Sequence, residues 1–197
     1  MIQNRLKAPV TALISPICRA LLKIGVSANG ITIVGALGSV ASALYFFPRG
    51  DFFVGTLVVS LFVLSDLFDG TMARMSEKGS TLWGALIDST LDRITDAAIC
   101  SGILIYAYNT GDHTLTLLAL FALITGGLIP YIRAKAESLG IPCNVGFAER
   151  AERLILLLTG SGLYGLGINF AMSTALVLVS VAGIITIIQR MLVVARY

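Results

Sequence analysis

Long apolar runs alternate along this chain with short stretches of Gly, Pro, Asp, Glu, Lys and Arg. A run of about 18 or more such residues is long enough to cross the hydrocarbon core of a bilayer as a helix. The pattern predicts six spans, over residues of about 30–47, 52–74, 82–108, 113–139, 150–166 and 169–196. The first ends at Pro48-Arg49-Gly50-Asp51. Pro130 lies inside the fourth, where its missing N–H and the clash of its ring with the preceding turn predict a kink. Gly35, Gly38, Ser39 and Ala41 give the first span a small-residue face suited to close helix packing. Ahead of the spans, residues 1–26 scatter Arg5, Lys7, Arg19 and Lys23 among apolar residues, with no compact apolar stretch leading to a small-residue cleavage site. That pattern predicts an amphipathic helix on the membrane surface rather than a cleaved leader. The predicted fold is an all-α integral membrane protein, six transmembrane helices plus the N-terminal surface helix, as a single domain over residues 1–197.

Composition and charge add an orientation. The 197 residues are 56% hydrophobic and 13% charged, with a mean hydropathy of +0.90, too apolar for a soluble domain. Six spans put both termini on one side, together with the 75–81 turn and the 139–149 loop. With their flanks these regions hold 13 of the 14 Lys and Arg residues, Arg49 alone falling opposite. Basic residues favour the cytoplasmic side, so the chain is expected in the plasma membrane with both termini in the cytoplasm. A net charge of +3, with no basic patch interleaved with aromatics, predicts no nucleic-acid partner. Cys18, Cys100 and Cys143 are odd in number and lack CxxC spacing, and read as buried small apolar residues. His113, in the polar run 109–113, reads as a solvated loop residue.

The charges that remain are concentrated. Asp66 and Asp69 are spaced i,i+3, and Asp88 and Asp92 i,i+4, so each pair projects from one helix face. If the turn between the second and third spans centres near Lys78 and Gly79, Asp69 and Asp88 lie equally far from it, and Asp66 nearly matches Asp92. Two antiparallel helices rising about 1.5 Å per residue then bring all four carboxylates to similar depth. An Asp at the centre of a membrane helix costs about 2.5–3.5 kcal/mol. Arg74 and Arg93 cannot neutralise four carboxylates, and Asp96 adds a fifth. Bound cations can. Oxygen-only donors suit Mg²⁺, Mn²⁺ or Ca²⁺ and argue against zinc. Gly70, Ala73 and Gly84, beside the acids, serve helix packing or let a ligand approach the backbone. Arg74, one turn beyond Gly70, is placed to hold a phosphate.

A second polar cluster follows the fourth span: Arg133-Ala-Lys135-Ala-Glu137, then Gly146-Phe-Ala-Glu149-Arg150-Ala-Glu152-Arg153. Arg150 and Arg153 share a face, and Glu149 can pair with Arg153 at i,i+4. Arg133 and Lys135 point to nearly opposite faces of a continuing helix, so at most one faces a site unless the kink at Pro130 turns the other. Arg190 lies within the last span, whereas Arg196 can snorkel from its end. An ordinary basic loop against lipid headgroups is the plain alternative for this cluster.

Asp66-x2-Asp69-Gly70-x2-Ala73-Arg74-x9-Gly84-x3-Asp88-x3-Asp92 resembles the signature of the CDP-alcohol phosphotransferase family, whose six-helix architecture covers essentially the whole chain. Asn29-Gly30-Ile31-Thr32 also resembles the family's segment near the nucleotide. The resemblance implies transfer of a phosphoalcohol group from a CDP-linked lipid, CDP-diacylglycerol, to a second alcohol with release of CMP. It casts Asp66, Asp69, Asp88 and Asp92 as ligands of two divalent ions, Mg²⁺ or Mn²⁺, with Asp92 also the general base on the acceptor hydroxyl. It puts Asn29, Gly30, Ile31, Thr32, Gly70, Ala73, Arg74 and Gly84, with Ser80 or Thr81, around the CDP-lipid. Homodimerisation is a further family expectation. Within the family, the second cluster resembles actinobacterial phosphatidylinositol phosphate synthases, whose acceptor is inositol 3-phosphate. Arg133, Lys135, Arg153 and Arg190 are then the candidates for the acceptor's phosphate, which needs a basic pocket.

Two other functions compete. Glycerol 3-phosphate as acceptor keeps the reaction and gives phosphatidylglycerol phosphate. A Mg²⁺ channel or transporter would also place acids inside a membrane, but these acids are bunched on one side with no matching polar positions in the other half of the spans.

Overall fold

The computed structural model describes residues 14–75, 79, 81–147 and 149–197. Arg5, Lys7, Lys78 and Ser80 lie outside the described residues, as does the first half of the predicted surface segment. Every regular element among the described residues is helical. In order they are α1 (14–23), α2 (Ala28–Phe46) with a 3₁₀ turn at Phe47–Arg49, α3 (Phe52–Val63), α4 (Ser65–Met75), α5 (Leu82–Asn109), α6 (His113–Ser138), α7 (Arg150–Gly165) and α8 (Ala171–Ala195). Among the described residues, four stretches are long and apolar enough to cross a membrane: Ala28–Arg49, Phe52–Met75, His113–Ser138 and Ala171–Ala195. Two of the predicted spans differ from these. α5 carries Asp88, Asp92, Arg93 and Asp96 within its first 15 of 28 residues, and α7 has 16 residues with Arg150, Glu152 and Arg153 in its first turn.

The second predicted span is two helices rather than one, broken at Leu64. Ser65 and Asp66 favour helix starts over interiors because their side chains compete for backbone hydrogen bonds. The Leu67 N–H closes back onto the Leu64 carbonyl at 3.1 Å. Asp66 and Asp69 therefore sit on a short helix of their own.

The chain divides into two compact units, one of residues up to 40 with 59–95, the other of 41–58 with 96–197. In the first, Ile14, Cys18 and Met72 form a core ringed by Leu21, Leu22, Val26, Ala28, Ile31 and Phe68. The apolar face of α1 thus packs on the start of α2 and on α4, while Arg19 and Lys23 stay exposed, as an amphipathic helix requires. Burial pushes the Cys18 thiol pKa up, so it stays protonated. The small-residue face of α2 is used here: a Cβ on Gly35 would stand 1.7 Å from Ser65 Oγ, and one on Gly38 2.3 Å from the Phe62 ring.

In the second unit, α8 packs against both α6 and α7. Gly160 allows the α7 approach, since a Cβ there would lie 2.3 Å from that of Ala175. Phe52 packs edge-on to Tyr106 and Tyr164, whose hydroxyls are 3.2 Å apart. Asp112 caps α6 by accepting from the Leu115 N–H at 2.9 Å, leaving His113 exposed as predicted, and Pro130 lies inside that helix. All three cysteines are buried and free.

Candidate active site

In the first unit, α4 contributes Asp66 and Asp69, and α5 contributes Asp88 and Asp92. Asp69 is the buried member. Its Oδ2 accepts a 2.6 Å hydrogen bond from the Thr32 hydroxyl of α2, and the negative charges of Asp66 and Asp88 both act on it. Charge-assisted bonds of this kind are the short, strong ones. Asp92 lies 3.6 Å from the guanidinium of Arg93, whose side chain is half exposed, so that ion pair adds little. Among the described residues, no three acidic, His or Cys side chains are gathered closely enough to enclose an ion. The donor set nonetheless fits a hard divalent cation: carboxylate oxygens from two helices, with no sulfur or imidazole.

The glycines beside the acids behave differently. A Cβ on Gly84 would stand 2.8 Å from Asn29 Oδ1 and 3.1 Å from Thr81 Oγ1, and that Thr81 oxygen accepts from the Gly84 N–H at 3.0 Å. Gly84 therefore admits the Asn29 side chain to the first turn of α5. A Cβ on Gly70 would touch only Arg74 Nη1, at 3.6 Å. Packing does not require a glycine there, and the backbone of α4 is left open beside the carboxylates. Arg74 is exposed and donates to Thr71 Oγ1 at 3.1 Å. The predicted segment Asn29-Gly30-Ile31-Thr32 thus meets the acidic helices at two points, Thr32 on Asp69 and Asn29 on Gly84. Ala73 is half buried on α4 between Gly70 and Arg74.

The second unit holds the basic groups. Arg133 is exposed and donates to Glu137 at 2.8 Å and to Asn144 at 3.0 Å; Lys135 is exposed as well. Arg150 and buried Arg153 both pair with Asp96, at 3.3 and 3.1 Å. Asp96, the acid that follows the four of the cluster, is thus the counter-ion of two arginines. Arg190 is 4% exposed and gives its guanidinium to the main chain, donating to the Val145 carbonyl at 2.9 Å and to the Ile129 carbonyl. Sequence reasoning left Asp96 without a partner, since Arg150 and Arg153 lie 54 and 57 residues away along the chain. It gave no hint of Thr186, whose hydroxyl accepts from the Phe147 N–H at 3.2 Å.

The family model for CDP-alcohol phosphatidyltransferase matches residues 25–195. The phosphatidylinositol phosphate synthase of Streptomyces avermitilis is 41% identical, over 100% of this chain and 83% of that protein. Two crystal structures of the Mycobacterium tuberculosis phosphatidylinositol phosphate synthase are similar at 42% identity. The one with CDP-DAG bound superposes with a TM-score of 0.87 over 93% of this chain and 94% of that one. The one in complex with manganese and citrate does so with a TM-score of 0.86, over 91% and 87%.

Proposed function

The chain belongs to the CDP-alcohol phosphatidyltransferase family, and from that premise we propose that it moves the phosphatidyl group of CDP-diacylglycerol onto inositol 3-phosphate, giving phosphatidylinositol phosphate and CMP. The observation that carries this is the meeting, within one compact unit, of Asn29 and Thr32 with Gly84 and Asp69. A nucleotide-facing segment, an open helix backbone and an acidic cluster belong together only where a diphosphate is handled. The choice of acceptor is supported by the relatives, which are synthases of phosphatidylinositol phosphate, and by the basic groups of the second unit.

Asp66, Asp69, Asp88 and Asp92 would hold two divalent ions, Mg²⁺ or Mn²⁺, which when bound neutralise the diphosphate and stabilise charge on the transferring phosphoryl group. Asn29, Gly30, Ile31, Thr32, Ala73, Thr81 and Gly84 border the CDP moiety. Gly70 lets it approach α4, and Arg74 takes a phosphate oxygen pair as a planar fork. Asp92 accepts the proton of the acceptor hydroxyl, whose oxygen forms the new bond to phosphorus as the bond to CMP breaks. Arg133 and Lys135, both exposed, and the buried Arg153 and Arg190 receive the acceptor's phosphate.

The same proposal takes α2, α3 with α4, α5, α6, α7 and α8 as six spans of one domain in the plasma membrane, α1 lying on its surface, as a homodimer. α5 has 28 residues and is about 42 Å long at 1.5 Å per residue. It outlasts a hydrocarbon core of about 30 Å, so the turns bearing Gly84 and Asp88 reach the cytoplasmic interface. The distribution of Lys and Arg supports a cytoplasmic side for both termini.

Purified protein supplied with CDP-diacylglycerol and either labelled inositol 3-phosphate or labelled glycerol 3-phosphate tests the acceptor. Label should enter lipid from inositol 3-phosphate with stoichiometric CMP. Incorporation from glycerol 3-phosphate alone overturns the choice, and Mg²⁺ flux across proteoliposomes without CMP release overturns the enzyme.

A further inference from the structure

One carboxylate of α5 serves two arginines of α7. Asp96 Oδ1 accepts from Arg150 Nε at 3.3 Å and Asp96 Oδ2 accepts from Arg153 Nη2 at 3.1 Å, so each oxygen holds a different guanidinium. Arg150 and Arg153 lie three residues apart at the start of α7 and share a face. Alike in charge, they repel unless an anion stands between them. The side chains of Asp96 and Arg150 are 21% and 24% exposed, whereas that of Arg153 is only 8% exposed. The residues that follow are apolar and buried: Ile99 and Cys100 on α5, Leu154 and Leu157 on α7. A guanidinium enclosed there needs its counter-ion, since removing one partner of a buried pair costs about 3–5 kcal/mol. The cations of this unit also act on one another, and Arg190 feels the positive charges of both Arg133 and Arg153. Asp96 is therefore an anion set among arginines.

We propose that Asp96 is a positioning residue for the acceptor: its carboxylate, divided between Arg150 and Arg153, fixes the direction from which Arg153 meets the acceptor's phosphate. This rests on the acceptor site assigned above. A guanidinium is a planar fork of five N–H groups, so fixing one edge of it fixes where the others point. The field of Asp96 works the other way. An anion beside arginines weakens their attraction for a phosphate, so loss of its charge alone would tighten acceptor binding. Positioning and field thus predict opposite signs for the same substitution.

Asp96→Asn keeps the shape but turns one accepting oxygen into a donor, so it cannot hold both arginines. With full-length protein in lipid nanodiscs, KM for inositol 3-phosphate should rise about ten- to a hundredfold, the worth of a hydrogen bond to a charged group. KM for CDP-diacylglycerol should stay within about twofold. Asp96→Glu keeps the charge but sets it one methylene further out, so it should raise the acceptor KM less, about three- to tenfold. Combined with Arg153→Lys, Asp96→Asn should add less than its single effect, because both act on one contact. Phenylglyoxal labelling of Arg153, mapped by mass spectrometry, should accelerate severalfold in Asp96→Asn while that of Arg133 keeps the wild-type rate. An acceptor KM that is unchanged or lower, a parallel rise for both substrates, additivity with Arg153→Lys, or unchanged Arg153 labelling overturns the role. If Asp96→Asn does not fold, Asp96→Glu decides by the same two KM values. Absence of wild-type turnover with inositol 3-phosphate overturns the acceptor instead, and the labelling of Arg153 still decides whether Asp96 holds it.

Discussion

The hydroxyl of Thr32 donates to Asp69 Oδ2 across 2.6 Å, joining the first turns of α2 to the short acidic helix α4. Asp69 is the most enclosed of the four cluster carboxylates and lies within the field of Asp66 and Asp88. Its orientation therefore depends on this donor. Thr32→Val fills the same volume and leaves the buried oxygen unpaired. A hydrogen bond to a charged group is worth about 1.5–3 kcal/mol, so the divalent-ion concentration for half-maximal activity should rise by about ten- to a hundredfold. Thr32→Ser should stay near wild type. A metal titration of chelator-stripped protein that gives the same midpoint for Thr32→Val as for wild type defeats this role.

Gly70 and Gly84 separate packing from ligand approach. A methyl on Gly70 would meet only the flexible Arg74 guanidinium at 3.6 Å. Ala is also the better helix former by about 0.8–1 kcal/mol. Gly70→Ala should therefore melt at or slightly above the wild-type temperature in detergent yet lose affinity for CDP-diacylglycerol. Gly84→Ala should lose both, because Asn29 Oδ1 stands 2.8 Å from the new carbon. If Gly70→Ala bound the lipid normally, the open backbone of α4 would have no part in substrate binding.

Asp92 is the carboxylate proposed to take the acceptor's proton. Asp92→Asn preserves size and most of the oxygen donors while removing the base, so kcat should fall by at least about a hundredfold, within the range of general-base catalysis. KM for CDP-diacylglycerol should change by less than about threefold. Loss of the exposed Arg93 pair should leave the melting temperature nearly unmoved. Pre-steady-state CMP release at the wild-type rate would remove Asp92 from the proton transfer.

Helix positions were legible wherever apolar run length alone decides them. The predicted 113–139 corresponds to His113–Ser138. The break at Leu64 was not, because one apolar run feeds directly into a polar one and no Gly or Pro marks the join. Within the site, the i,i+3 and i,i+4 spacings of the acids are local and readable. The partners of Asp69 and Asp96 are not, since Thr32 lies 37 residues from the first and Arg153 57 from the second. Arg190 shows the same limit from the other side. Its charge within an apolar helix advertises a role, but the main-chain carbonyls that satisfy it carry no signature in residue type.

The chemistry of the donor set fixes which ions should work. Asp66, Asp69, Asp88 and Asp92 offer only carboxylate oxygens, and the three cysteines are buried and free while His113 is exposed on α6. Hard ions of octahedral preference accept such a set, whereas zinc favours sites with nitrogen or sulfur. EDTA should therefore abolish CMP release by wild-type protein, and Mg²⁺ or Mn²⁺ should restore it. Zn²⁺ at equal free concentration should restore little. Asp66→Asn and Asp88→Asn each remove one anionic donor, so each should raise the Mg²⁺ midpoint, Asp69→Asn most of all because its carboxylate is the one held by Thr32. Turnover that persists through exhaustive chelation, or an Asp69→Asn variant with an unshifted Mg²⁺ midpoint, would detach the acidic cluster from metal binding.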